Sequence, residues 1–223
     1  MFAVVLIALS AATRGKASVI TTGTILPPDI FTFVCPGAAC PTMLTSLTTP
    51  WTNTTGDMSG TLKAAVFSDP GNPFGIGDLD FVYQVSNNGG STDSIGRVTA
   101  INFTGWATDV GYASNGSALG NGFLNGTVAP ELVDRASADV IGFNFASPIL
   151  VEVRPGQTST ALVIETNAKA YVAGDVNIIN GGVTTVSAFE PSTVTPVPEP
   201  GYLAIAGIAF LALTQVRRFR QPS

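Results

Sequence analysis

Leu79-Asp80-Phe81-Val82-Tyr83-Gln84-Val85 decides the fold. Leu79, Phe81, Tyr83 and Val85 fall on one face of an extended chain, and Asp80 and Gln84 fall on the other. That is the period of a β-strand and not of a helix. Asn87-Asn88-Gly89-Gly90-Ser91 follows, a connection of hairpin type, and residues 95–103 then read as a second strand paired antiparallel with the first. Upstream, 19–25 and 30–34 are rich in Ile, Val, Thr and Phe and are split by Pro27-Pro28. Residues 41–57 are Thr-rich with Trp51 as their one aromatic residue, and read as a loop or irregular edge. Residues 62–67 return to strand composition, and 68–77, with two prolines and three glycines, read as a long turn.

Downstream strand candidates are 109–112, 139–145, 149–153, 161–166, 176–179 and 183–189. A Gly/Asn/Ser-rich loop spans 112–128, and turns sit at Arg154-Pro155-Gly156 and Asn180-Gly181-Gly182. Short strands separated by turn residues predict an all-β domain, an antiparallel β-sandwich over 18–189. Ig-like and jelly-roll pairings both remain open, because pattern alone does not give pairing.

The two ends differ in kind from this body. Residues 202–216 are uncharged and rich in helix formers. As a helix these fifteen residues would reach about 22 Å, against a hydrocarbon core of ~30 Å. A buried core helix is one reading of that length. The flanks favour a single transmembrane helix: Arg217, Arg218 and Arg220 follow it, as the positive-inside bias demands, and their snorkelling offsets the shortfall. Before it, Pro198 and Pro200 forbid a helix and hold an extended strip, preceded by a Pro/Thr-rich linker at 190–196. At the front, 2–12 is an apolar run followed by Gly15-Lys16-Ala17, the small residues of a signal-peptide cleavage site. A signal segment over 1–17 is the reading, with a buried first strand as its alternative; no basic residue precedes Phe2.

Val197-Pro198-Glu199-Pro200, the short apolar helix and the arginine cluster together resemble the PEP-CTERM sorting signal of Gram-negative bacteria. The resemblance covers 197–223. It implies that Pro198, Glu199 and Pro200 are recognised by exosortase, a membrane transpeptidase. It further implies that 202–216 is the anchor, and that Arg217, Arg218 and Arg220 stop transfer. The chain would be exported, parked in the inner membrane and passed to the cell surface or matrix, in an exopolysaccharide or biofilm context.

Between the two ends, five basic residues face fourteen acidic ones, a charge of about −9 that will not seek nucleic acid. Cys35 and Cys40, in Cys-Pro-Gly-Ala-Ala-Cys, suit a short disulfide loop in an exported chain, with free thiols as the alternative. The absence of histidine from the sequence removes Ser-His-Asp and Cys-His catalysis and the ordinary zinc sites. Paired carboxylates remain. Asp78 and Asp80 share a strand face, as a glycoside hydrolase would need, and Asp69, Asp78 and Asp80 with turn carbonyls suggest Ca²⁺. The competing reading, solvated acids at strand ends, is the one preferred, and no cofactor or metal is expected. For sugar binding the candidates are Trp51, Trp106, Tyr112 and Tyr171, each of which would otherwise belong to the core. The functional expectation is therefore a non-enzymatic, structural or adhesive exported protein. A carbohydrate-binding module is the alternative, and a glycoside hydrolase stands behind both.

Overall fold

A computed structural model describes residues 18–33, 40–146 and 151–193. The expected signal segment (1–17), Cys35, the sorting tail with Pro198, Glu199, Pro200, Arg217, Arg218 and Arg220, and the apolar run 202–216 lie outside the described residues. Among the described residues no helix is long and apolar enough to cross a membrane.

The described chain is all-β. In order the strands are β1 (Ile25–Leu26), β2 (Asp29–Phe31), β3 (Thr42–Thr52), β4 (Ser59–Asp69), β5 (Asp78–Asn87) and β6 (Arg97–Ala100). Next come β7 (Thr108–Ala113), β8 (Leu132–Asp134), β9 (Ile141–Asn144), β10 (Ala161–Thr166), β11 (Ala170–Asn180) and β12 (Gly182–Ser192). They form two six-stranded sheets. Sheet I has the order β1-β8-β9-β6-β11-β12, and sheet II the order β2-β7-β10-β5-β4-β3. All pairings are antiparallel except β2 with β7.

The sheets close on one apolar layer. Sheet II contributes Leu62, Val66, Leu79, Phe81, Tyr83, Val85, Leu162 and Ile164, and sheet I contributes Val98, Ile141, Phe143, Val176 and Ile178. Phe81 meets Phe103 edge to face, with centroids 5.7 Å apart. The Tyr83 hydroxyl crosses the layer and donates to the Phe189 carbonyl of sheet I at 2.7 Å. Full burial raises the pKa of Tyr83, with the Glu190 charge adding to the rise. The phenol therefore stays a donor.

The alternation read in 79–85 holds, but its second face is buried too. Val82, Ala65, Phe67, Val163 and Phe123 form a smaller core on the outer side of sheet II. The 114–127 loop covers it. Gln84 fastens that loop by donating to the carbonyls of Leu124 (2.8 Å) and Ser159 (2.9 Å), while its Oε1 accepts from the Leu124 N–H. A Cβ on Gly126 would stand 1.8 Å from the Ser159 carbonyl, so the loop can lie this close only as glycine.

Several expectations are corrected. The segment after Asn87-Asn88-Gly89-Gly90-Ser91 does not return as a hairpin partner. Both edges of β5 are taken, by β4 and β10, and β6 crosses to sheet I between β9 and β11. Asn87 directs this crossing, donating to the carbonyls of Asp93 (2.9 Å) and Val153 (3.0 Å). The Thr-rich 41–57 stretch is no loop over most of its length. It holds β3, an eleven-residue edge strand with a bulge at Met43–Thr45. β-Branched threonine suits a half-exposed strand, and Pro50 is tolerated because the strand is an edge. Residues 19–25 and the described part of 30–34 contract to short pieces around Pro27-Pro28, and Val19 makes one bridge, to Asp109. Of the expected strand 149–153, the described part makes one bridge, Val153 with Ile95. The short β8 had no pattern to announce it. β12 continues through Glu190, Pro191 and Ser192, the first residues of the expected linker.

Candidate functional site

The acids expected to be solvated are buried, and they converge. β4 ends at Asp69, β5 begins Asp78-Leu79-Asp80, and β10 ends Glu165-Thr166. Register sets Glu165 beside Asp80 on one side and beside Asp109 of β7 on the other, with Asp69 opposite Asp78. Carboxylates from four neighbouring strands thus line one end of the outer face of sheet II. Asp69 and Asp80 are 0% exposed and Glu165 is 4% exposed. One carboxylate oxygen from each of these three lies within 4.8 Å of the other two.

The 70–77 turn roofs the cluster. The Gly71 N–H donates to Asp69 Oδ1 at 2.7 Å, a local Asx turn that begins the chain reversal. Asn72 reaches inward, donating to Asp80 Oδ1 (2.9 Å) and to the Thr166 carbonyl (3.0 Å), while the Phe74 N–H caps its own carbonyl oxygen. The other oxygen of Asp80, Oδ2, is buried and accepts no hydrogen bond among the described residues; Asp109 Oδ1 is in the same position. The cation of the neighbourhood, Lys169, is mostly exposed and pairs with Asp78 at the rim.

This crowding sets the electrostatics. Burial, then the charges of Glu165 and Asp69, push the Asp80 carboxyl well above the ordinary value, with only the Asn72 hydrogen bond opposing. Burial, then the hydrogen bond and charge of Asp29, raise Asp109 to about 7. Three crowded carboxyls can hold protons among themselves or hold one cation. Hard oxygen donors from Asp and Glu are the ligand set of Ca²⁺ or Mg²⁺, not of zinc or copper. As a hydrolase pair they are poorly placed. A glycosidase needs its two carboxyls to flank a sugar, whereas Asp69, Asp80 and Glu165 are buried beneath the 70–77 turn.

The sugar-binding candidates are dispersed. Trp51 is 5% exposed on β3. Tyr112 is half-buried on β7, separated from β3 by β10, β5 and β4, or about 19 Å of sheet. Trp106 is half-buried against the main core in the loop before β7, and Tyr171 meets Phe189 edge to face at 5.9 Å. Cys40 is half-buried just ahead of β3.

Glu165, Asp109 and Asn72 were missed in the sequence. Glu165 had a local signal, a single acid closing the apolar run Ala161-Leu162-Val163-Ile164. Asn72 looked like any turn residue. No family model, curated protein or solved structure matches the chain, and its functional reading rests on its own residues.

Proposed function

We propose that this chain is an exported, non-enzymatic β-sandwich protein, directed to the cell surface or matrix by a PEP-CTERM-like tail. The tail carries the reading: Val197-Pro198-Glu199-Pro200, the uncharged 202–216 run, and Arg217, Arg218 and Arg220 stand in the order an anchored sorting signal requires. An exosortase-type transpeptidase is the partner this predicts, and exopolysaccharide or envelope material is the setting. The domain supports a structural or adhesive role through its closed double layer, in which the most concentrated group of described carboxylates is sealed rather than open to substrate. Its strands pass repeatedly between sheets, from β5 to β6 to β7 to β8 and from β9 to β10 to β11. That favours a jelly-roll-like arrangement over an Ig-like one.

Carbohydrate binding is the second reading. It is favoured by a cavity of ≈ 230 Å³, polar and apolar in about equal parts, whose lining includes Asn53, Asp57, Met58, Asp93, Asn180 and Val183. The sorting proposal is tested by fractionation and intact-mass analysis of the full chain, expressed with and without exosortase. Loss of the tail beyond Pro200 and release from the inner membrane only with exosortase is the expected result. A full-length, inner-membrane protein in both hosts would overturn it.

A further inference from the structure

We propose that Asp69, Asp80 and Glu165 bind one Ca²⁺ ion that ties β4, β5 and β10 to the 70–77 turn. Two independent observations carry this. The first is spacing. One oxygen from each residue falls within 4.8 Å of the other two, and two oxygens on opposite sides of one calcium ion at about 2.4 Å each stand about 4.8 Å apart. The second is the orphaned acceptor. Asp80 is 0% exposed, and no described donor reaches its Oδ2. Such an atom loses its hydration and, without a cation or a proton, receives nothing in return.

The surroundings select the ion. Asn72 fixes the other oxygen of Asp80, and Gly71 holds Asp69, so two of the three ligands are oriented before any ion arrives. Lys169 is spent on Asp78 at the rim. The donors are all hard oxygens, and they come from three strands and a turn. That suits the adaptable shell of calcium better than the strict octahedron of magnesium, with water completing the shell. The site joins segments some 95 residues apart in sequence and is structural in kind: the ion would convert mutual repulsion into a clamp. The inference does not depend on the sorting reading, since it concerns residues of the sandwich alone.

The test uses the full chain, purified in detergent and stripped with EDTA. Bound metal is measured by elemental analysis, and thermal unfolding is followed with EDTA, with millimolar CaCl₂ and with equal MgCl₂. The expected result is about one Ca²⁺ per chain and a melting temperature at least about 5 °C higher in calcium, with a smaller shift in magnesium. Asp80→Asn keeps the shape and the acceptor for Asn72 while removing a charge. It should fold in EDTA at least as stably as wild type and lose the calcium shift; Glu165→Gln should lose it as well. No calcium shift in the wild-type chain would overturn the proposal and favour a shared proton. Calcium shifts that survive both substitutions would place the ion elsewhere and overturn it too. Equal shifts in magnesium and calcium would overturn the choice of ion.

Discussion

Each sheet carries a buried carboxylate on its outer face, and the two are held in opposite ways. On sheet I, Asp134 lies beneath Arg97 and Asn144. Arg97 Nη2 donates to its Oδ1 at 2.8 Å, Arg97 Nη1 pairs with its Oδ2 at 2.5 Å, and Asn144 donates to Oδ2 at 2.6 Å. Burial alone would raise the Asp134 pKa, but these partners outweigh it and hold the carboxyl below the usual range. Gly142 makes the arrangement possible, since a Cβ there would stand 2.2 Å from the Arg97 guanidinium and 2.7 Å from the Asp134 carboxylate. On sheet II, Asp80 is buried more deeply and has one asparagine, but acids where Asp134 has its arginine. The difference shows that burial alone does not decide the fate of a carboxylate; the sign of its neighbours decides whether burial is opposed or reinforced. Where the protein supplies its own cation the site is finished. Where it supplies only carboxylates, a place is prepared for one from outside.

The comparison breaks most sharply if the internal cation is removed. Arg97→Met leaves Asp134 buried with only Asn144 and the Ala136 N–H and should cost roughly 2–4 kcal/mol, read as a lower urea midpoint at neutral pH. A loss below about 0.5 kcal/mol would mean that the pair is no more than a surface contact.

Acid sharpens it, because the two carboxylates respond with opposite sign. The folded pKa of Asp134 lies below its ordinary 3.8, so its contribution is present above about pH 4 and disappears as the pH falls further. Asp109, facing Asp29 from β2 and Glu165 from β10, stands at about 7 when folded. Between pH 4 and 7 the folded chain keeps a proton there that the unfolded chain has released, so stability falls as pH rises through that window and levels above it. In EDTA, stability should therefore peak near pH 4–5 and drop by about 2 kcal/mol toward pH 7. Denaturant midpoints across that range check this. A profile that rises steadily to neutrality would show that the acids of sheet II are better compensated than their geometry indicates.

The smallest effect is expected at the rim. Lys169 pairs with Asp78, but its side chain is 65% exposed. Lys169→Met should change stability by less than about 1 kcal/mol and leave any calcium response intact. A large loss would make Lys169, and not an outside ion, the counter-charge of the cluster.

How legible all this was depended on how local each cause was. The apolar face of β5 was readable because alternation is written in seven consecutive residues. The hairpin expected after Asn87 failed although its turn residues were right. The competing partner of β5 was β10, about 80 residues downstream, and a turn motif carries no information about a distant strand. The 42–52 stretch was misread because threonine belongs equally to loops and to half-exposed strands, and only its pairing with β4 separates the two. Asp69, Asp78 and Asp80 stand out in the sequence, but as solvated acids. The 68–77 turn and the 112–128 loop were legible as such, but nothing in either says that it folds back to bury this face.

By itself, then, the sequence determined the features that composition and short period dictate. These are an all-β body, acidic and without histidine chemistry, bounded by two apolar ends, the second of which is followed by an arginine cluster. Tertiary structure decided the features that depend on register. It placed Glu165 beside Asp80 and Arg97 over Asp134, because strand pairing joins residues whose separation along the chain says nothing of their distance in space. Whether a buried acid meets an arginine or another acid is settled there, since a carboxylate's energy depends on the few ångströms around it.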